Sequence, residues 1–183
     1  MKKILTTLLL FLSLISFSQE YYRDTIIERA IFNEVNRHRD SVGVHIVKFN
    51  PDNTRAVSWG EVLIQNDLDG NLIYHCGCAA GIEIIALTVV GDDMEVTMSV
   101  KEIAKQMVSL WDNSLSHKKG MESKYMTRGF NSVYIFKSPR VNNRYVAVSV
   151  FQFLRDKDYY TNLDWDENEK VPNVFLTDAH KTN

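Results

Sequence analysis

Apolar residues recur at intervals of four near the start of the chain: Ile27, Ile31 and Val35. The residues between them are mostly polar, so this spacing places the apolar side chains on one face of a helix. The pattern predicts an amphipathic helix over residues 26–41, which Gly43 follows. Thr25 and Glu28 match a capping box at its start.

Two further stretches have helical patterns. Asn50 and Pro51 are typical of a helix cap and first turn, and predict a helix that continues to about Asn66. Ser99 and Glu102 form a second capping-box pattern. It precedes the clearest apolar stripe in the chain: Ile103, Met107, Leu110, Trp111 and Leu115. We interpret this stripe as core rather than as a cofactor site, because it follows the helical repeat.

The last third of the chain changes to strand patterns. Residues 132–137 alternate in character, and residues 145–153 are rich in β-branched and aromatic types. Between them, residues 138–143 contain proline and asparagine, which predict the turn of an antiparallel hairpin. Residues 83–90 are a third strand candidate beside it. Helices followed by strands predict an α+β domain in which helices pack on an antiparallel sheet.

The N-terminus has the proportions of a secretory signal. A short basic start precedes an apolar run over residues 4–17, which is shorter than the roughly 20 residues that span a bilayer. Ser16 and Ser18 match the small residues of a cleavage site. We expect residues 1–18 to be removed, leaving a secreted, periplasmic or envelope protein without an integral membrane span. A retained anchor is the alternative.

Composition and charge exclude some classes of function for this chain. The 183 residues are 45% hydrophobic and 24% charged with a net charge of -2, which is typical of a globular domain and predicts no nucleic-acid partner. From residue 156 onward, the chain contains seven acidic and three basic residues. We therefore divide the mature chain into a charge-balanced domain, 19–155, and an acidic C-terminal extension, 156–183. The extension either folds back over the domain or frays.

Two of the five histidines have sequence neighbours that indicate a metal-binding site. His75 precedes Glu83 by eight positions, and His117 follows the strongest helical stripe. Two imidazoles with a carboxylate suit zinc or a similar divalent ion. Histidines that only make structural hydrogen bonds are the alternative. His38 lies among charged residues, and we expect it to be solvated.

Three more residues beside these histidines have reactive side chains. Cys76 and Cys78 are separated by one residue, a spacing that strains a disulfide. A redox-labile pair, soft metal ligands and two buried thiols all remain open. Ser114 precedes His117 by three positions, but no oriented aspartate or nucleophile elbow supports acyl transfer.

A series of short motifs runs in order through the chain: Asn33, Asn36, Arg37, Tyr74, His75, residues 81–86, Trp111, Ser114, His117, Gln152 and Phe153. Over residues 26–153 this order resembles the CAP superfamily, or SCP-like domains. That family includes cysteine-rich secretory proteins, antigen five proteins and pathogenesis-related proteins. The spacing of Trp111, Ser114 and His117 resembles the WxxSxxH pattern of bacterial members.

The resemblance implies a three-layer α-β-α sandwich with an antiparallel sheet and a cleft over it. In the family, two histidines and two glutamates line the cleft, and several members bind a divalent metal there. By position, His75 and His117 correspond to the two histidines and Glu83 to the first glutamate, while Ser114 replaces the second. We therefore expect a cleft lined by these four residues, with zinc or another divalent cation on His75 and His117.

The resulting functional expectation is a secreted binding module rather than an enzyme. Its ligand would be a small molecule, a lipid, a glycan or a protein. One alternative is a metal-dependent or cleft-based hydrolase that uses Glu83 and His75. Another is an interaction protein that acts through its loops and its acidic extension.

Overall fold

The computed structural model describes residues 21–51, 55–75 and 81–155. The elements within these ranges are β1 (Tyr22–Arg23), α1 (Thr25–Ser41), β2 (Lys48–Phe49), α2 (Arg55–Leu68), β3 (Ile82–Val89), α3 (Val100–Asp112), α4 (Leu115–Met121), β4 (Arg128–Ser138) and β5 (Arg144–Leu154). The predicted signal peptide, 1–18, and the acidic extension, 156–183, lie outside the described residues. Residues 52–54 also do. The predicted helix start at Asn50 and Pro51 is wrong, because Asn50 continues from β2 and donates its backbone N–H to the carbonyl of Gly129 at 2.9 Å, Pro51 lies in a turn, and the described helix α2 begins at Arg55.

A five-stranded sheet organises the domain, with the path β1-β4-β5-β3 and with β2 beside β4. β4 and β5 form the predicted antiparallel hairpin, and a short 3-10 turn, Pro139–Val141, joins them. β3 pairs antiparallel with β5, from Ile82 opposite Phe153 to Val89 opposite Val146. This strand therefore lies at one end of the strand path. The helices and this sheet make the domain α+β, which confirms the predicted class.

Core side chains cover both faces of the sheet. On β5, Ala147 and Phe151 join a core formed with α1 and α3, whereas Val146 and Val148 join a core formed with α2. Such alternation follows from the two-residue repeat of a strand. Ile103, Met107 and Trp111 are buried in the first core, so this part of the predicted apolar stripe is core. The sandwich layering specific to the CAP family stays a prediction.

The start of α1 differs from the predicted capping box. Asp24, not Thr25, is the N-cap, and its carboxylate accepts the backbone N–H groups two and three residues ahead at 3.0 and 2.9 Å. Glu28 is instead bound by Arg23 at 2.6 and 2.9 Å and by the backbone N–H of Val133 at 3.1 Å. The glutamate thus joins the helix to β4, a partner far away in sequence.

Two residues of the predicted apolar stripe are not in the core. Leu110 lies within α3 but is 41% exposed. α3 stops at Asp112, and Ser114 adopts an extended backbone conformation before α4 begins, so Leu115 belongs to α4 and is 70% exposed. The chain turns at this break, so His117 lies on a separate short helix rather than at the end of α3.

Arg39 is a fully buried cation near the end of α1. Its guanidinium donates hydrogen bonds to four backbone carbonyls: those of His45, Met121, Ser123 and Met126. Burial lowers the pKa of Arg39 to about 10, so the side chain remains charged at neutral pH. These bonds attach α1 to the end of α4 and to the segment that leads into β4.

We expect Arg39→Met to lower the free energy of unfolding by about 3 kcal/mol or more. The buried carbonyls of Met121 and Met126 would lose their donor, and each unsatisfied buried group costs about 1–3 kcal/mol. Urea unfolding measures the change. Arg37→Met is the matched control, because Arg37 pairs with Glu34 on the exposed face of the same helix and its loss costs at most about 0.5 kcal/mol. Equal effects of the two substitutions would contradict the assignment.

Candidate functional site

Three separate segments bring His75, Glu83 and His117 together. His75 lies in the segment after α2, Glu83 is the second residue of β3, and His117 belongs to α4. The Nδ1 atom of His75 is 3.3 Å from Oε1 of Glu83, and its Nε2 atom is 3.4 Å from Nε2 of His117. The two imidazole rings are tilted by 52° with centroids 5.5 Å apart. The site residues predicted from spacing therefore meet in the fold.

The carboxylate of Glu83 is held from both sides. Glu83 pairs with Gln152 in the register between β3 and β5, so the two side chains lie next to each other on one face of the sheet. Gln152 Nε2 donates to the second carboxylate oxygen at 3.0 Å. Glu83 is 7% exposed, and both of its oxygens have a partner. We did not predict a site role for Gln152, because only the strand register shows that it lies opposite Glu83.

The hydrogen-bond partners assign the protons of the histidine pair. An ionised carboxylate only accepts, so His75 donates its Nδ1–H to Glu83. In the neutral ring, Nε2 of His75 then carries a lone pair, and His117 donates its Nε2–H to it. The carboxylate thus selects the tautomer of His75 and directs a basic nitrogen at His117.

His117 is neutral over the physiological range. Burial, together with the neighbouring His75, lowers the pKa of His117 to about 4. A neutral imidazole donates a hydrogen bond through its protonated nitrogen and can bind a cation through the lone pair of the other nitrogen; which nitrogen does which depends on the tautomer. The surroundings of His117 therefore disfavour its charged form and leave its ring available as a ligand.

Close packing of α4 on β3 positions His117. Gly120 lies one helical turn after His117, and a Cβ atom there would be 2.7 Å from Cγ2 of Ile82. Because glycine has no side chain, α4 can approach the first residues of β3 closely. That approach brings the imidazole of His117 beside the strand that carries Glu83.

The other predicted residues of the site have different positions. Ser114 is the N-cap residue of α4, and its hydroxyl hydrogen-bonds that of Ser116 at 3.3 Å. Its place in the lining of a cleft stays a prediction. Cys76 and Cys78 lie outside the described residues.

A second group of possible metal ligands lies at the C-terminal end of α4. The ligand atoms of His38, Asp112 and Glu122 all lie within 4.8 Å of one another, so the group can hold a metal ion. The expectation that His38 is solvated is wrong, because its side chain is only 13% exposed and Nε2 is 2.9 Å from Oε1 of Glu122. The sequence feature that could have indicated the burial of His38 is its position three residues after Val35, which is buried on the same face of the helix.

Lys118 neutralises part of this second group. Its Nζ atom is 2.7 Å from Oδ1 of Asp112 and 3.7 Å from Oε1 of Glu122. The hydrogen bond from Lys118 lowers the pKa of Asp112 below its usual range. Asp112 is therefore ionised at neutral pH and available to a cation.

Comparisons with known proteins identify no family. No family model matches the chain, and no curated protein matches it. Among solved structures, an outer surface protein from Borrelia burgdorferi is similar with a TM-score of 0.47 and 14% sequence identity, covering 75% of this chain and 100% of that one. The helices in the described part of the chain are too short or too polar to cross a membrane.

We expect the ring signals of His117 to titrate near pH 4 in nuclear magnetic resonance spectra of the metal-free protein. Its ordinary value is 6.5, so the unfolded chain binds a proton more readily than the folded one between these pH values. Stability should therefore rise with pH from about 4 to about 6.5, by up to about 3 kcal/mol, and His117→Gln should remove that part of the slope. A His117 midpoint above 6 would contradict the described burial.

Proposed function

We propose that this chain is a secreted binding module of the CAP type, whose cleft holds a divalent metal and a small ligand or lipid. The cleft is lined by His75, Glu83, Ser114 and His117, and the two histidines bind the metal. The observation that supports the proposal most directly is the 3.4 Å separation of the two Nε2 atoms, with a buried carboxylate behind one ring.

The separation of the two nitrogens fits a shared zinc ion. Zinc lies about 2.0–2.1 Å from histidine nitrogen, so two nitrogens of a tetrahedral site are about 3.3–3.4 Å apart. Nε2 of His75 and Nε2 of His117 are already 3.4 Å apart. To bind one ion through Nε2, His117 would change tautomer, with its proton on Nδ1 and the lone pair of Nε2 on the metal, so the ring would stay neutral.

Glu83 acts in this proposal as a positioning residue. Metal-bound histidines usually donate their other N–H to a carboxylate, which orients the ring and raises its basicity. Glu83 accepts the Nδ1–H of His75, and Gln152 holds the second oxygen of Glu83. Gln152, Glu83 and His75 thus form a chain of hydrogen bonds that ends at the ligand nitrogen.

The small number of protein ligands favours binding of a further molecule. Two imidazoles leave at least two positions of a tetrahedral zinc for water or for a donor atom of another molecule. A bound metal would supply a Lewis acid for such an atom. We infer a partner that offers an oxygen donor, such as the head group of a lipid, a glycan or a small acid. The apolar N-terminal run and its cleavage motif support a location of this chain outside the cytoplasm.

A hydrolase is the second candidate, because a buried carboxylate beside an imidazole is also suited to general acid–base chemistry. Glu83 would keep His75 in the tautomer whose Nε2 accepts a proton from water or from a hydroxyl group. Turnover of peptide or ester substrates that disappears in Glu83→Gln would favour the hydrolase. Absence of turnover by the wild type would favour the binding module.

We expect zinc to shift the ring signals of His75 and His117 in the wild-type protein. His75→Ala should weaken the response of His117 at least tenfold, because one of two ligands is lost. Glu83→Gln keeps the shape but removes the charge, and changes of this kind typically cost about 10–100-fold in metal affinity. His45→Gln is the control, since His45 bonds the carbonyl of Met126 away from the pair. An unchanged zinc response of His117 in His75→Ala would contradict the proposal.

A further inference from the structure

We propose that His38, Asp112 and Glu122 form a second site for a divalent transition-metal ion, and that Lys118 competes with the ion for the two carboxylates. This site shares no ligand with the histidine pair. It therefore does not rest on the function proposed above.

Three different elements supply the ligands. His38 lies in the last turn of α1, Asp112 is the last residue of α3, and Glu122 follows α4 directly. The three meet only because the ends of these helices converge. One nitrogen and two carboxylates on separate elements form a compact ligand set, unlike acidic residues that follow one another along an exposed helix.

Arg39 holds two of these ligands in place. It is the neighbour of His38 in sequence, and it donates hydrogen bonds to the carbonyls of Met121 and Ser123, which flank Glu122. The guanidinium is fully buried, and its bonds hold the backbone on both sides of Glu122 against α1. The side chains of His38 and Glu122 already contact each other at 2.9 Å, and such preorganisation lowers the entropic cost of binding an ion.

The distances fit a common ion. Nε2 of His38 is 2.9 Å from Oε1 of Glu122 and 3.9 Å from Oδ1 of Asp112. In octahedral coordination, ligand atoms at about 2.1 Å from one ion are about 3.0 Å apart in adjacent positions, and in tetrahedral coordination they are about 3.4 Å apart. The separation of His38 and Glu122 fits adjacent octahedral positions, whereas Asp112 must move closer to His38 to share the ion. Asp112 is the most exposed of the three ligands and can adjust by rotation.

The ligand types indicate the class of ion. Imidazole suits zinc and other transition metals, whereas calcium and magnesium prefer oxygen ligands alone. Two carboxylates next to one imidazole give two negative charges, which favour a divalent cation. We infer a divalent transition-metal ion such as zinc, with water in the positions that face the solvent.

Lys118 competes with the metal ion for the carboxylates of Asp112 and Glu122. Its ammonium group contacts both carboxylates, at 2.7 Å from Asp112 and 3.7 Å from Glu122. The side chain is 41% exposed, so it can swing into water when a metal binds. Exposed pairs of this kind are weak, and we expect their loss to change metal affinity by about threefold.

The test uses the full chain with His75→Ala and His117→Ala, so that the histidine pair cannot bind metal. Titration calorimetry with zinc chloride should find one site in this protein. Adding His38→Gln should weaken it at least tenfold, because the only nitrogen ligand is lost. Adding Lys118→Met should strengthen it about threefold. Lys119→Met, at the next position of α4, is the matched control and should leave the affinity unchanged.

A measurement on the unsubstituted protein tests the same site if the variants do not fold. Manganese should broaden the signals of the His38 ring and of the Lys118 side chain, and an equal concentration of calcium should not reverse this. Absence of zinc binding in the double variant, binding that survives His38→Gln, or weaker binding in Lys118→Met would each overturn the proposal. If the histidine pair binds no metal, the results expected at the second site stay the same. The two proposals can therefore be disproved independently.

Discussion

The buried guanidinium of Arg39 is the interaction on which the geometry of both sites depends. A buried cation is stable only when its donors are satisfied, and here backbone carbonyls rather than carboxylates satisfy them. Because three of those carbonyls, of Met121, Ser123 and Met126, belong to residues at and after the end of α4, the guanidinium fixes where this helix ends. α4 carries His117, and Glu122 is the residue directly after it.

Both candidate sites therefore take a ligand from one short helix or its C-terminal end. Close packing at Gly120 presses α4 against the first residues of β3, which sets the distance between His117 and the strand of Glu83. The same placement sets Glu122 beside His38 at the end of α1. A movement of α4 would alter both ligand sets, so a rigid α4 is a condition for either site.

Much of the architecture was predictable because local patterns and tertiary packing agree. The helical repeat identified α1 and the buried part of α3, and the β-branched segments identified β3, β4 and β5. Residue types and spacing also selected His75, Glu83 and His117. Errors arose where a partner distant in sequence decides the outcome. Glu28 binds Arg23 and the backbone of β4 instead of closing a capping box, and His38 turns toward Glu122 instead of toward solvent.

The sequence by itself determined the α+β class, the hairpin, the apolar faces and the identity of the residues at the histidine site. These follow from local spacing, since helical and strand periods are properties of short segments. Tertiary structure alone decided that Gln152 lies opposite Glu83, that Arg39 is buried, and that three helix ends bring His38, Asp112 and Glu122 together. Such contacts join residues that are remote along the chain, and their distances depend on how the helices pack against each other and the sheet.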